Sequence, residues 1–218
     1  MHEPAAEAPP ECAHCPRLAA FRAANRAREP SWHNAPVASF GPEDARHVRL
    51  LIVGLAPGLR GANRTGRPFT GDYAGDLLYS TLTEHGFARG RYEARPDDGL
   101  ALVGCMITNA VRCVPPENKP TPAEIANCRP YLAERMAALP QLTTIIALGR
   151  IAHDSTLAAL EVRRAAFPFA HGARHDVRPG LAVFDSFHCS RYNTNTGKLT
   201  PEMFRTVFSR VRTHLDRR

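Results

Sequence analysis

Val48-Arg49-Leu50-Leu51-Ile52-Val53 runs straight into Gly54-Leu55-Ala56-Pro57-Gly58-Leu59-Arg60-Gly61-Ala62-Asn63-Arg64-Thr65-Gly66-Arg67-Pro68-Phe69-Thr70-Gly71-Asp72. The first six residues are apolar but for Arg49, the pattern of a strand covered on both faces. The nineteen that follow hold five glycines, three arginines and one phenylalanine. Glycine reaches positive φ and lets a ligand come close to the backbone. A buried strand that opens into such a loop builds a binding site at its carboxyl end. The arginines suit phosphate, and Phe69 suits a flat ring.

Further short apolar runs at 100–107, 142–148 and 181–184 read as strands of the same kind. Helical patterns lie between and after them, at 74–85, 122–127, 130–139, 151–160 and 201–215. Thr121-Pro122-Ala123-Glu124 combines a Thr cap, Pro at the first helical position and Glu at the third, a capping box. Thr200-Pro201 opens the last helix in the same way, and Met203, Val207, Val211 and Leu215 then fall on one face. This alternation predicts an α/β fold, a three-layer α/β/α sandwich with a central, mostly parallel four-stranded sheet. Ligands of such sheets bind outside the carboxyl ends of the strands.

A chain of 218 residues fits one domain. Residues 1–11, acidic and proline-rich, are expected to be disordered. Residues 12–218 are expected to form a single domain with an N-terminal arm. The balance of 28 basic against 21 acidic residues gives +7 and a pI near 9.4, which favours a polyanionic partner. The sequence has no eighteen-residue apolar run, so no membrane span is expected. The first ten residues lack the basic and apolar regions of a signal peptide. A cytoplasmic protein with reduced cysteines is expected.

Cys12 and Cys15 form a CxxC, and fourteen residues separate Cys113 from Cys128. Four thiolates arriving from loop and helix ends suit a tetrahedral zinc or an iron–sulfur cluster, and spacing does not separate the two. Cys105 lies inside an apolar run and reads as core. Phe187-His188-Cys189-Ser190-Arg191-Tyr192-Asn193-Thr194-Asn195-Thr196-Gly197 leaves another strand end, and so faces the same crevice as the glycine-rich loop. Asn109, in Ile107-Thr108-Asn109-Ala110, would present one amide donor and one acceptor to a ligand edge.

Together these motifs resemble the uracil-DNA glycosylase superfamily, most closely its family five, the UDGb type. The resemblance runs from about Cys12 to Leu215. It implies that Phe69 stacks on an extruded base, that Asn109 reads the base's edge, and that Gly54, Leu55 and Ala56 complete the base pocket. His188 would face the base's carbonyl oxygen, and Asp72 would be the second catalytic residue. Arg60, Arg64, Arg67, Ser190, Arg191, Tyr192 and Asn193 would bind DNA, with Tyr192 as a wedge in the duplex and Arg112 as a further phosphate contact. Cys12, Cys15, Cys113 and Cys128 would hold a 4Fe-4S cluster in preference to zinc. The implied activity is excision of uracil, and of deaminated bases such as hypoxanthine and xanthine, by a monomeric, nucleoid-associated repair enzyme.

The resemblance has departures. Ala56-Pro57-Gly58 and Gly61 offer no polar residue where other families carry one, and Cys189 stands where proline is common. Small Gly61 suggests a roomier pocket. A non-catalytic iron–sulfur DNA-binding sensor is the alternative, but it has no use for a convergent base pocket. A phosphate-loop enzyme built on Gly54-x-x-x-Gly58 lacks the Gly-Lys-Ser/Thr that should follow.

Overall fold

The structure, a computed structural model, describes residues 6–217. Chain order is α1 (Pro16–Arg28), β1 (Leu50–Gly54), α2 (Ala62–Thr65), α3 (Tyr73–Glu84), β2 (Ala88–Arg89), β3 (Ala101–Leu102), β4 (Cys105–Asn109), α4 (Pro122–Ala137), β5 (Thr144–Leu148), α5 (Arg150–Ala159), β6 (Arg174–Arg178), β7 (Leu181–Ser186), α6 (Arg191–Asn195) and α7 (Pro201–Asp216). The main sheet has the order β4-β1-β5-β7-β6.

Four of its strands are parallel, in the places the apolar runs predict. The sheet nevertheless has five strands, not four, because β6 adds an antiparallel edge to β7. Its sequence, Arg-His-Asp-Val-Arg, carries no apolar run. An edge strand pairs on one side only, and charge there blocks pairing with other chains. The expected strand at 100–107 is also two: Gly104 at φ 64° separates β3, in a small hairpin with β2, from β4 in the main sheet.

The buried strands alternate their side chains between two cores. Leu50, Ile52, Ile107, Ile146 and Phe184 pack under α3 and α7. Leu51, Val53, Met106, Ile145 and Val183 pack under α4 and α5. Every residue of β1, β4 and β5 is buried, which is why these strands read as continuous apolar runs. The expected helices at 122–127 and 130–139 are one helix, α4, with Pro130 inside it. Thr121 and Glu124 form the predicted capping box.

The N-terminal arm is held by charge. Arg17 on α1 donates to both oxygens of Glu124 at 2.8 and 2.7 Å. Of the segment expected to be disordered, residues 1–5 lie outside the described residues, while residues 6–11 make definite contacts. Glu7 pairs with Arg112 and Arg135, and the Ala6 carbonyl accepts from Arg112. No described helix is long and apolar enough to cross a membrane.

Candidate functional site

β1 and β4 run in register, so Gly54 and Asn109 end side by side. The chain beyond them stays zipped, with Ala110 N–H donating to Gly54 O at 2.9 Å and Val111 N–H to Leu55 O at 3.0 Å. His188 follows the end of β7, and Gly149 the end of β5. These carboxyl ends line one cleft of about 1230 Å³ with Leu55, Ala56, Phe69, Asp72 and Asn109.

Gly54 is where the pieces meet. A Cβ there would collide with the Asn109 Oδ1 atom and come within 2.6 Å of the Phe69 ring. Glycine therefore lets the ring and the amide converge. Phe69 is buried and sits at φ 53°, in the left-handed region. Strain of about 1–3 kcal/mol persists only where the surroundings impose it. Here the Tyr92 hydroxyl donates to the Phe69 carbonyl at 3.2 Å, and Gly75 leaves room for that carbonyl. The Phe69 ring faces the His188 ring at a centroid distance of 5.8 Å and an interplanar angle of 26°. Asn109 is 3% exposed, and its Oδ1 has no hydrogen-bond partner. A buried acceptor without a partner is costly unless a ligand completes it.

Burial holds the His188 pKa down, to about 4, so its imidazole is neutral at neutral pH. Its backbone carbonyl accepts from Asn193 Nδ2 at 2.8 Å, which fixes the loop. Cys189 is fully buried and its thiol reaches the Ala74 carbonyl at 3.5 Å. This cysteine pins the histidine loop to the start of α3.

Asp72 corrects the expectation of a roomier pocket. A Cβ at Gly61 would strike the Asp72 carboxylate, and one at Gly58 would sit 3.0 Å from Oδ2. The two glycines make space that the carboxylate fills. Burial raises the Asp72 pKa, and the N–H groups of Gly75 and Ala74 pull it back only in part. Asp72 Oδ1 is buried without a partner.

The expected DNA-facing residues divide. Arg60, Arg64, Arg191 and Tyr192 are exposed, Tyr192 at 74%. Arg191 lies over the Tyr73 ring at 5.3 Å. Ser190 and Asn193 line the cleft, and Ser190 caps α6. Arg67 does not reach solvent. It is 5% exposed, forks onto Asp98 at 2.8 and 2.7 Å, and sits among Phe40, Tyr79 and Tyr92. Arg112, at 1% exposed, is likewise internal, donating to Ser39 Oγ at 3.0 Å and paired with Glu7. Both arginines tie loops together rather than offer charge to DNA.

The sequence reading missed most of the far wall of the cleft, Phe169, His171 and Lys198, which join Phe187 of the histidine motif. His171 stacks on Phe187 at 5.0 Å and accepts its N–H at 3.1 Å. Behind that wall, buried Asp185 accepts from His153 Nδ1 at 2.7 Å and His175 Nε2 at 3.0 Å. His153 Nε2 faces the Phe167 carbonyl at 2.9 Å. Both ring nitrogens thus face acceptors, and the Asp185 carboxylate raises the His153 pKa against the effect of burial. The role of this group is to anchor the 163–171 loop.

Cys12, Cys15, Cys113 and Cys128 line one small cavity between α1, α4 and the segment after β4, and all four are free of disulfides. Nitrogen donors meet the sulfurs: Arg22 Nη1 to Cys113 at 3.1 Å, the Arg112 N–H to Cys128 at 3.2 Å, and Asn127 Nδ2 to Cys15 at 3.8 Å. Burial raises the Cys113 and Cys15 pKa values and takes Cys128 to about 12, so apart from any ligand they are thiols.

A protein-family model described as the uracil DNA glycosylase superfamily matches residues 40–212. The chain belongs to that superfamily. It is 46% identical over 202 residues to the type-5 uracil-DNA glycosylase of Thermus thermophilus, covering 90% of each chain. It is 38% identical over 204 residues to the type-5 uracil-DNA glycosylase of Pyrobaculum aerophilum, covering 92% of this chain and 87% of the relative. A type-4 uracil-DNA glycosylase of Archaeoglobus fulgidus matches at 36% over 106 residues, 48% of this chain and 45% of the relative. The superfamily's sheet with helices on both faces is the fold described above, and these two type-5 relatives are covered over 90% and 87% of their length.

Proposed function

We propose that this enzyme excises uracil from DNA by hydrolysing the N-glycosidic bond of a flipped-out nucleotide, and that hypoxanthine and xanthine are also substrates. The observation that carries this is the meeting of Phe69, Asn109 and His188 around one cleft, with the unpartnered Asn109 Oδ1 among them. A DNA-binding sensor would have no use for that convergence.

Flipping costs a few kcal/mol of lost stacking and pairing. Stacking on Phe69 returns about 1–3 kcal/mol, and exposed Tyr192 would fill the gap in the duplex. The base leaves as an anion while the sugar gains oxocarbenium character. A neutral His188 donates its N–H to the carbonyl oxygen where negative charge grows. A fixed donor of this kind is worth roughly 2.7–4 kcal/mol. Asp72 would face the positive sugar and orient the attacking water. With Asp72 in that role, Ala56 to Gly58 need carry no polar side chain.

Cys12, Cys15, Cys113 and Cys128 are proposed to hold a 4Fe-4S cluster. Preference for the cluster over zinc rests on the family resemblance, since the spacing of the cysteines suits either. N–H donors on the sulfurs suit a thiolate-held cluster. Bound there, it would crosslink the α1 arm to the core.

The test is incubation of purified protein with duplexes bearing uracil, hypoxanthine or xanthine, followed by alkali, with iron and acid-labile sulfide measured on the same preparation. Strand breaks at each lesion are expected, with iron and sulfide in near-equal amounts. An intact uracil duplex would overturn the activity, and zinc in place of iron would overturn the cluster.

A further inference from the structure

A second groove, of about 370 Å³, opens beside the cleft and shares Leu59 and Arg60 with it. Its other wall is the end of α1 and the turn after it, with Asn25, Arg28 and Trp32, and Arg64 projects from the glycine-rich side. The two walls are locked together. His33 and Asn34 N–H groups donate to the Arg64 and Asn63 carbonyls at 3.0 Å each, and Asn63 Nδ2 donates to Asn34 Oδ1 at 2.9 Å.

The groove gathers like charge. Arg28, Arg60 and Arg64 are exposed, and among the described residues none of the three pairs with a carboxylate. Elsewhere arginines find acids, as in Arg17–Glu124, Arg67–Asp98, Arg135–Glu7 and Arg212–Asp216. The exposed Glu29 at the rim leaves an excess of two positive charges, three arginines against one acid. Asn25 is 2% exposed; its Oδ1 holds Arg28 Nη2 at 2.6 Å and its Nδ2 has no partner. A buried amide donor without a partner, on a groove lined by three exposed arginines, suits an anion.

We propose that this groove holds a backbone phosphodiester of the substrate DNA beyond the extruded nucleotide, so that the α1 arm is itself part of the DNA-binding surface. The inference rests on the glycosylase reading. Continuity through Arg60 gives the direction: a strand whose flipped base enters the cleft passes next over Arg28 and Trp32.

Trp32 is the sole tryptophan of the chain, so its fluorescence reports on this groove alone. Wild type is titrated with undamaged duplex at several salt concentrations, beside Arg28→Ala and Arg28→Lys, and uracil excision by wild type is assayed in parallel. Trp32 emission should change on DNA binding. Arg28→Ala should bind several-fold more weakly and flatten the slope of log K against log salt by about 0.9, one phosphate's worth. Arg28→Lys should restore most of that slope. Unmoved Trp32 emission, or an unchanged slope in Arg28→Ala, with excision intact, would overturn the groove and leave the glycosylase standing. Absence of excision by wild type would overturn both.

Discussion

At the residue scale the decisive group is Asp72. Its carboxylate occupies the space left by Gly58 and Gly61, and burial raises its pKa. The sign of the pH effect follows. A carboxyl whose folded pKa exceeds its unfolded one stabilises the fold below the unfolded pKa, and loses that contribution as pH rises through the folded value. Above the raised pKa the ionised side chain is a burden carried for chemistry. Asp72→Asn is therefore expected to raise Tm at neutral pH by about 2–4 °C, what about 1 kcal/mol gives a chain of this size, while slowing excision. Wild-type excision should fall as pH drops through the raised pKa, and the variant should lose that limb. Calorimetry and a pH–rate profile check both halves. The sequence placed Asp72 in the loop; it did not show that two glycines exist to admit it, because that contact spans α2.

At the element scale, legibility followed burial. The parallel strands and the helix caps could be read because their residues face only the core or a helix end. Polar β6 could not, since its pairing depends on lying next to β7. Arg67 and Arg112 were misread for the same reason. An arginine in a loop at a strand's carboxyl end looks like a phosphate ligand until Asp98 and Glu7, distant in sequence, are seen to meet Arg67 and Arg112. Removing one partner of a buried pair strands the other charge and costs roughly 3–5 kcal/mol. Arg67→Ala is accordingly expected to cost stability of that order in a denaturant titration. Its effect on DNA affinity at a temperature where it is folded should be minor. Hydrogen bonds from Arg67 hold the Asp98 pKa well below the usual carboxylate range. The bridge thus contributes above the unfolded carboxylate pKa and is lost as pH falls.

At the scale of the whole molecule, four strand ends deliver segments far apart in sequence to one cleft. The motifs of the near wall were legible because their residue types are chemically distinctive. The far wall was not, for Phe169 and His171 are ordinary residues made relevant by the Asp185 anchor. The central claim is that these walls close on a single extruded base whose departing charge His188 meets. Single-turnover excision from a uracil duplex by wild type and His188→Ala, with DNA affinity measured on both, tests it most directly. The account predicts a loss of about 10²–10³ in rate, the cost of one fixed donor, with affinity nearly unchanged. Equal rates in the two proteins would contradict it.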